Sequence, residues 1–136
     1  MAKKILVVDD EPHILKTLKD RLEFNKYEVI TALNGREAID KVKSDSPDAV
    51  VLDLRMPEMD GMETLREIRK FNRNIPVLIL TAYATKENIK DAMELDISGF
   101  IPKGSEFIDS LEAVFTVLEA VFTSLEIFKK LKEEKR

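Results

Sequence analysis

The feature that most constrains the fold is a regular alternation of short apolar runs with longer segments of helical periodicity. An apolar run of this kind is typical of a strand that is buried on both faces. Each run is followed by a segment whose apolar residues recur three and four positions apart, as in an amphipathic helix. The predicted strands are residues 4–9, 28–31, 49–53, 76–81 and 98–101. Strands that alternate with helices predict a parallel sheet covered by helices on both faces.

Local signals place the helices between these strands. Pro12 suits the first turn of one helix, and Asn34-Gly35 marks the turn into a second helix that Pro47 ends. The other helices are predicted around residues 62–68, at 86–95 and from about 105 onward. The expected architecture is α/β: a doubly wound, flavodoxin-like sheet of five parallel strands in the order 2-1-3-4-5 with five helices, the last one extended.

No linker-like stretch interrupts this pattern, so we expect one stand-alone domain. It comprises residues 1–120, and residues 121–136 extend the last helix as part of the same domain. No apolar run approaches the roughly 20 residues needed to span a bilayer, and the first residues do not form a secretory signal. We therefore expect a cytoplasmic protein without membrane contact.

Charge and composition narrow the functional classes further. The net charge is −4, and residues 129–136 carry +3 of it, which leaves −7 on the rest. An acidic body argues against direct nucleic-acid binding, because such binding depends on neutralising phosphates. The chain has no cysteine and one histidine, His13, which excludes thiolate and multi-histidine zinc sites. His13 is expected on the surface of the first helical turn rather than as a phosphohistidine.

Polar side chains follow the strands at their carboxyl ends. Asp9 and Asp10 end the first strand, Asp53 ends the third, Thr81 ends the fourth, and Lys103 follows the fifth. These ends meet at one edge of a parallel sheet, where ligands bind in this class of fold. Carboxylates that converge there raise one another's pKa unless a cation neutralises them. An all-oxygen set of ligands suits Mg²⁺ or Mn²⁺.

The same edge has the groups that a phosphoryl transfer needs. Lys103 supplies a fixed positive charge and Thr81 a hydroxyl, and both can stabilise phosphoryl oxygens. Asp53 can then act as the nucleophile and form an acyl phosphate.

Four segments carry a resemblance to a known family. Val7-Val-Asp-Asp-Glu-Pro12, Leu52-Asp-Leu-Arg-Met-Pro-Glu-Met-Asp-Gly61, Thr81-Ala-Tyr83 and Lys103 resemble the signature of response-regulator receiver domains in two-component signalling. The resemblance spans residues 3 to about 120. It implies that Asp53 accepts a phosphoryl group from the phosphohistidine of a sensor histidine kinase or a histidine phosphotransferase. Such a domain is no enzyme toward other substrates and catalyses only its own phosphorylation and slow dephosphorylation.

The resemblance also assigns the metal ligands. Asp9, Asp10 and Asp53 would hold Mg²⁺ together with the backbone carbonyl of Arg55. Asp10 would bind the ion directly, whereas Asp9 would act through water.

Thr81 and Lys103 would contact the phosphoryl oxygens by the same resemblance, and movement of Thr81 would be coupled to the aromatic ring of Phe100. The family usually has a proline directly after the lysine, joined by a cis bond. Here Pro102 precedes Lys103 and Gly104 follows it, so that bond cannot form. We expect Gly104 to supply the unusual backbone geometry instead.

Arg55 and Tyr83 lie two residues after Asp53 and Thr81. In the family these positions flank the phosphoryl group and influence the access of water. Two bulky residues suggest a long-lived phosphoryl group suited to relay. The alternative is that both are ordinary exposed side chains.

The last helix contains an internal repeat. Leu111, Leu118 and Leu125 recur every seven residues, and Phe115 and Phe122 share this heptad period. A receiver's last helix ordinarily ends near residue 120, so an apolar stripe beyond it predicts an interface. We expect a two-fold homodimer, and the alternatives are a partner protein's helix or a helix that bends back over its own domain. The predicted interface residues are Phe115, Leu118, Val121, Phe122, Leu125 and Phe128.

Three other functions are weighed against signalling. A haloacid-dehalogenase-type hydrolase needs a second Asp two residues after the nucleophile, where this chain has Arg55. In a flavodoxin-like cofactor binder, residues 9–11 would repel the phosphate of the cofactor because all three are acidic. The chain could also act mainly as an oligomerisation module, but all five site residues are present. With no DNA-binding domain in the sequence, we expect the signal to pass to a downstream protein target.

Overall fold

A computed structural model describes residues 2–104 and 107–135, without the side chain of residue 108. Five parallel strands form one sheet in the order β2-β1-β3-β4-β5, as predicted. The strands are β1 (Lys4–Val8), β2 (Glu28–Ala32), β3 (Ala49–Leu52), β4 (Val77–Thr81) and β5 (Gly99–Pro102). The helices are α1 (Pro12–Phe24), α2 (Gly35–Asp45), α3 (Gly61–Phe71), α4 (Lys86–Met93) and α5 (Phe107–Glu134).

Capping side chains define where several helices begin. Asn34 accepts a hydrogen bond from a backbone N–H of α2 at 2.8 Å, and Asp60 accepts one from α3 at 2.9 Å. Thr85 caps α4 in the same way at 3.1 Å. Helix α1 has no side-chain cap and begins instead with Pro12, whose ring already has a helical φ. Each of these helices follows a strand, so its start lies on the carboxyl side of the sheet.

Helix α4 ends earlier than predicted. Its last residue is Met93, and the chain then turns through Asp96, which has a φ of 56°. The guanidinium of Arg69 in α3 donates hydrogen bonds to the carbonyls of Leu95 at 2.8 Å and Asp96 at 3.1 Å. This turn is therefore fixed by a side chain from another helix, which the local sequence pattern does not reveal. Strand β5 is displaced by one residue from its prediction, and the predicted start of the last helix at Ser105 lies outside the described residues.

The sheet separates two apolar clusters. Alternate residues of β1 point to opposite faces: Leu6 and Val8 pack with α2, α3 and α4, whereas Ile5 and Val7 pack with α1 and α5. All of these strand residues are nearly inaccessible to solvent. This arrangement explains why β1 is a continuous apolar run, because both of its faces are covered.

Helix α5 belongs to the core only along its first half. Leu111, Val114 and Leu118 are buried against the sheet and α1. Beyond them Leu125 and Phe128 are 50% and 58% exposed. The prediction that Leu118 lies at an interface is therefore wrong, because this side chain is fully buried inside its own domain.

The two phenylalanines of the heptad repeat are also engaged within the domain. The rings of Phe115 and Phe122 each lie 6.1 Å from the ring of Tyr27, centroid to centroid. The ammonium of Lys3 lies 5.5 Å from the centroid of Phe122. Both rings are half-buried in this cluster, so each keeps only part of its surface for a partner. Within the described residues, no helix is long and apolar enough to cross a membrane.

Candidate functional site

Two adjacent strands deliver the central carboxylates. Val8 and Leu52 are register partners at the ends of β1 and β3. The next residue of each strand is an aspartate, and the backbone N–H of Asp53 donates to the carbonyl of Val8 at 3.0 Å. The N–H of Asp9 donates to the carbonyl of Ala32 at the end of β2, at 3.2 Å. Ladder hydrogen bonds therefore hold both backbones rigidly at the carboxyl edge.

Asp9, Asp10 and Asp53 form the acidic cluster that the sequence predicts. One carboxylate oxygen from each residue lies within 4.8 Å of the others. Asp9 and Asp53 are only 2% and 7% exposed, and Asp10 is the most accessible of the three. Three oxygens at this spacing fit a hard divalent cation such as Mg²⁺, which binds one or two carboxylates and keeps several waters.

Lys103 provides the fixed positive charge of the site. Its ammonium donates a hydrogen bond to Asp9 at 2.9 Å and lies 3.5 Å from a carboxylate oxygen of Asp53. Burial acts to lower the pKa of Lys103, but the hydrogen bond that its ammonium donates to Asp9 and the charges of Asp53 and Asp9 outweigh burial and raise it. Lys103 is therefore a cation throughout the physiological pH range.

Asp53 remains incompletely neutralised by these contacts. Burial is the main reason that its pKa lies above the usual value, and the nearby charge of Asp9 raises it further. The charge of Lys103, a hydrogen bond with Thr81 and the backbone N–H of Arg55 oppose this shift. One lysine thus faces two buried carboxylates, an imbalance that an added divalent cation would correct.

Thr81 is fully buried at the end of β4. Its hydroxyl oxygen accepts a hydrogen bond from the N–H of Tyr83 at 3.1 Å, and its carbonyl accepts one from the N–H of Lys103 at 2.8 Å. Phe100 is half-buried in β5 and pairs with Ile79, two residues before Thr81. The structure brings Thr81 and Lys103 to the acidic cluster and places Phe100 on the adjacent strand.

Ser110 holds the lysine loop and was not identified from the sequence. Its buried hydroxyl accepts a hydrogen bond from the N–H of Gly104 and donates one to the carbonyl of Pro102, both at 3.2 Å. These two residues flank Lys103 on either side. No described peptide bond is cis and no described glycine has a positive φ, so the expectation of unusual geometry at Gly104 is wrong. The sequence signal that could have identified Ser110 is its position directly before the buried Leu111 on the inner face of α5.

Arg55 and Tyr83 stack beside the site. The guanidinium carbon of Arg55 lies 4.2 Å from the centroid of the Tyr83 ring, and both side chains are exposed. The amide of Asn88 donates to the carbonyl of Tyr83 at 2.8 Å. With Leu54, Asp60, Met62 and Thr85, these residues line a groove of about 320 Å³. Arg55 and Tyr83 therefore contact each other. The sequence identifies both positions but does not reveal this contact.

Gly61 is a further residue whose role the sequence did not reveal. Its N–H donates to the carbonyl of Leu54 at 2.8 Å. A Cβ at this position would lie 2.2 Å from the carbonyl oxygen of Asp53. Any larger residue would therefore displace the loop that follows Asp53. His13, by contrast, lies away from the cluster, with its exposed ring 3.4 Å from Glu11.

The fold and the site agree with similarity to known proteins. A family model described as the response regulator receiver domain matches residues 5–115. The chain therefore belongs to the receiver domains of response regulators. The response regulator MprA of Mycolicibacterium vanbaalenii is 41% identical over 103 residues, which are 76% of this chain and 45% of that protein. The chain thus spans less than half the length of the curated relatives that it matches.

Solved structures show the same architecture. Chemotaxis protein CheY4 of Vibrio cholerae is 28% identical with a TM-score of 0.78, over 86% of this chain and 99% of that one. TrrA of Thermotoga maritima, solved in complex with Mg²⁺-BeF, is 37% identical with a TM-score of 0.73, over 85% and 98% of the two chains. A fusion that contains the trimeric coiled coil of yeast Spc42 is 27% identical, with a TM-score of 0.85 over all of this chain and 85% of that one.

Proposed function

We propose that the chain accepts a phosphoryl group on Asp53 from a phosphohistidine, in a reaction that depends on a divalent metal. In this step a carboxylate oxygen of Asp53 bonds to phosphorus as the phosphorus–nitrogen bond breaks, and the electron pair stays on the imidazole. The observation that carries the proposal is the convergence of Asp9, Asp10 and Asp53 on the ammonium of Lys103. The donor would be a sensor histidine kinase or a histidine phosphotransferase.

Mg²⁺ or Mn²⁺ would be held by the three aspartates and by the backbone carbonyl of Arg55. The ion would supply charge neutralisation at the phosphoryl oxygens. Lys103 would stabilise the same oxygens from the opposite side, and Thr81 would donate its hydroxyl to one of them. The Mg²⁺-BeF complex of TrrA supports this assignment, because that protein is 37% identical to the chain.

Acetyl phosphate tests the proposal without knowledge of the natural donor. The parent protein incubated with acetyl phosphate and Mg²⁺ is expected to gain one phosphoryl group, measured by intact-protein mass spectrometry. The Asp53→Asn variant and a parent sample with excess chelator are expected to gain none. If the parent gains no phosphoryl group, the protein works by another function, such as oligomerisation alone.

The phosphorylated state would be recognised by a downstream protein, and the signal would not pass through direct binding to DNA. Thr81 would move toward the phosphoryl group and Phe100 would change its packing in response, so the surface formed by β5 and α5 would differ between the two states. We also propose that the chain contacts neither nucleic acid nor membrane and that it is cytoplasmic. It would act on no substrate other than its own phosphoryl group. One domain over residues 1–120 with a helical extension would suffice for this role.

The stacked pair of Arg55 and Tyr83 would slow the loss of the phosphoryl group. The stacked pair would cover one approach to Asp53, so an attacking water would have to displace both side chains. Replacement of Arg55 by Asn or Tyr83 by Ala is expected to shorten the phosphoryl half-life several-fold. The measurement is the decay of phosphorylated protein after the donor is removed, with exposed Lys86→Ala as the control. Unchanged half-lives in both variants would refute the shielding role.

We also propose that the chain forms a homodimer through α5. Four large apolar side chains at the free end of this helix are each at least half exposed: Leu125, Ile127, Phe128 and Leu131. Within the described residues nothing covers them. A mass in solution that corresponds to two chains at micromolar concentration is the expected result, and the mass of a single chain would contradict it.

A further inference from the structure

The free end of α5 presents large apolar side chains, and a groove nearer the domain borders the same helix. Phe128 and Leu131 project from the free end and are 58% and 52% exposed. A groove of about 620 Å³ lies against the preceding turns of the same helix and is lined by Leu125 and by small or medium-sized side chains. These include Val117, Ala120, Val121 and Ser124 from α5, with Pro76 and Ser98 from the amino edges of β4 and β5.

The groove and the free end share one stripe of α5, which we call the outer seam. Its spacing is four, three, four and three residues, which is the heptad pattern of a helix pair. The outer seam runs beside the row of buried residues that contains Leu118. Its own residues are half-buried or exposed, whereas Leu118 is buried. The outer seam consists of Val117, Val121, Ser124, Phe128 and Leu131.

We propose that two copies of the chain pair antiparallel along the outer seam, with the two-fold axis at Ser124. In this register Val117 of one copy lies beside Leu131 of the other, and Val121 lies within one residue, about 1.5 Å along the helix, of Phe128. A straight helix cannot fold its own tip into its own groove, but a second copy can fill that groove with its tip. The contact is reciprocal, as two-fold symmetry requires. The inference rests on the proposed homodimer and adds its direction and register.

Charge favours the antiparallel direction. Residues 129–136 carry a net +3, and the remainder of the chain carries −7. A parallel pair would place the two basic tips side by side, where like charges repel. An antiparallel pair separates the tips and lays each one beside the first half of the other copy's α5, where residues 107–124 carry three acidic and no basic side chains. The small side chain of Ser124 at the axis also lets the two helices approach closely.

Single cysteines test direction and register without background, because the chain has no cysteine of its own. Under copper-catalysed air oxidation, Ser124→Cys is expected to form a covalent dimer, since the axis brings its two Cα atoms within the roughly 4.4–6.8 Å that a disulfide spans. Leu131→Cys alone is expected to stay uncrosslinked, because its two copies would lie about 21 Å apart along the helices. A mixture of Val117→Cys and Leu131→Cys is expected to yield the mixed dimer.

Thr123→Cys is the matched control, because it neighbours Ser124 in sequence but faces away from the outer seam. Each variant is checked under reducing conditions for the parent's melting temperature. Leu131→Cys that crosslinks to itself as readily as Ser124→Cys would show parallel helices, in a dimer or a trimer, and would overturn the geometry while leaving self-association intact. Ser124→Cys that crosslinks no more than Thr123→Cys would overturn the register. A parent that is monomeric at tens of micromolar would overturn the homodimer itself.

Discussion

The carboxylate of Asp53 lies among buried charges that are only partly neutralised. Asp53 and Asp9 are buried carboxylates that share one cation, Lys103. Their backbones cannot separate, because both are fixed in the ladder of neighbouring strands. The repulsion between these carboxylates therefore destabilises the folded protein, and a bound divalent ion would reduce it.

The Asp53→Asn variant is expected to be more stable than the parent at neutral pH in the presence of chelator, because it removes a buried charge. The pKa of Asp53 is raised in the folded protein, so its charged form opposes folding once the pH exceeds the ordinary value of 3.8. The difference between the two proteins should therefore grow as the pH rises from about 4 and then level off. Urea unfolding at several pH values measures it.

Mg²⁺ should make the parent more stable than the Asp53→Asn variant. At ten times its dissociation constant, the ion stabilises a protein that binds it only when folded by about 1.4 kcal/mol. The parent should gain this increment, and Asp53→Asn should gain less because it lacks one ligand. An equal gain in both proteins would contradict the role of Asp53 as a ligand.

Ser110 tests how the chain positions its lysine without a following proline. Ser110→Ala removes both hydrogen bonds that flank Lys103. We expect the rate of phosphorylation by acetyl phosphate to fall roughly tenfold at saturating Mg²⁺, which corresponds to about 1.4 kcal/mol. In a Lys103→Met background the same substitution should have little further effect, and Ser110→Thr should retain most of the rate. Equal losses in both backgrounds would show that Ser110 acts on general stability instead.

At the scale of elements, α5 changes its role along its length. Its first half closes the core over β1, β3 and β4, and its second half leaves the sheet. The heptad period continues through both halves, so periodicity alone cannot tell a core leucine from an interface leucine. That decision depends on where the sheet ends, which is a tertiary property.

Two leucines one heptad apart measure this change of role. Leu118→Ala should lower the free energy of unfolding by about 3 kcal/mol, because it opens a cavity in the core. Leu125→Ala should cost less than about 1 kcal/mol in the isolated subunit, because this side chain is already half exposed. Urea unfolding at low protein concentration gives both values. Similar losses would mean that the helix end folds against its own domain.

At the scale of the whole molecule, the sequence is sufficient to predict the sheet order and the acidic cluster. The alternation of strands and helices predicts a parallel sheet whose strand ends share one edge, and the order is the common one of flavodoxin-like folds. The tether from Ser110, the turn fixed by Arg69 and the burial of Leu118 were not predictable. Each depends on which distant backbone or side chain comes close after folding. Local patterns thus specify the elements and their chemistry, and packing decides which residues support them.

In the proposed function, Asp53 becomes an acyl phosphate. The most direct measurement is borohydride reduction of the protein after treatment with acetyl phosphate and Mg²⁺, followed by peptide sequencing by mass spectrometry. Reduction converts an aspartyl phosphate to homoserine and leaves free carboxylates unchanged. We expect homoserine at position 53 and at no other aspartate, and none when Mg²⁺ is chelated. Homoserine at Asp9 or Asp10, or an unmodified Asp53 in a protein that has gained phosphate, would contradict it.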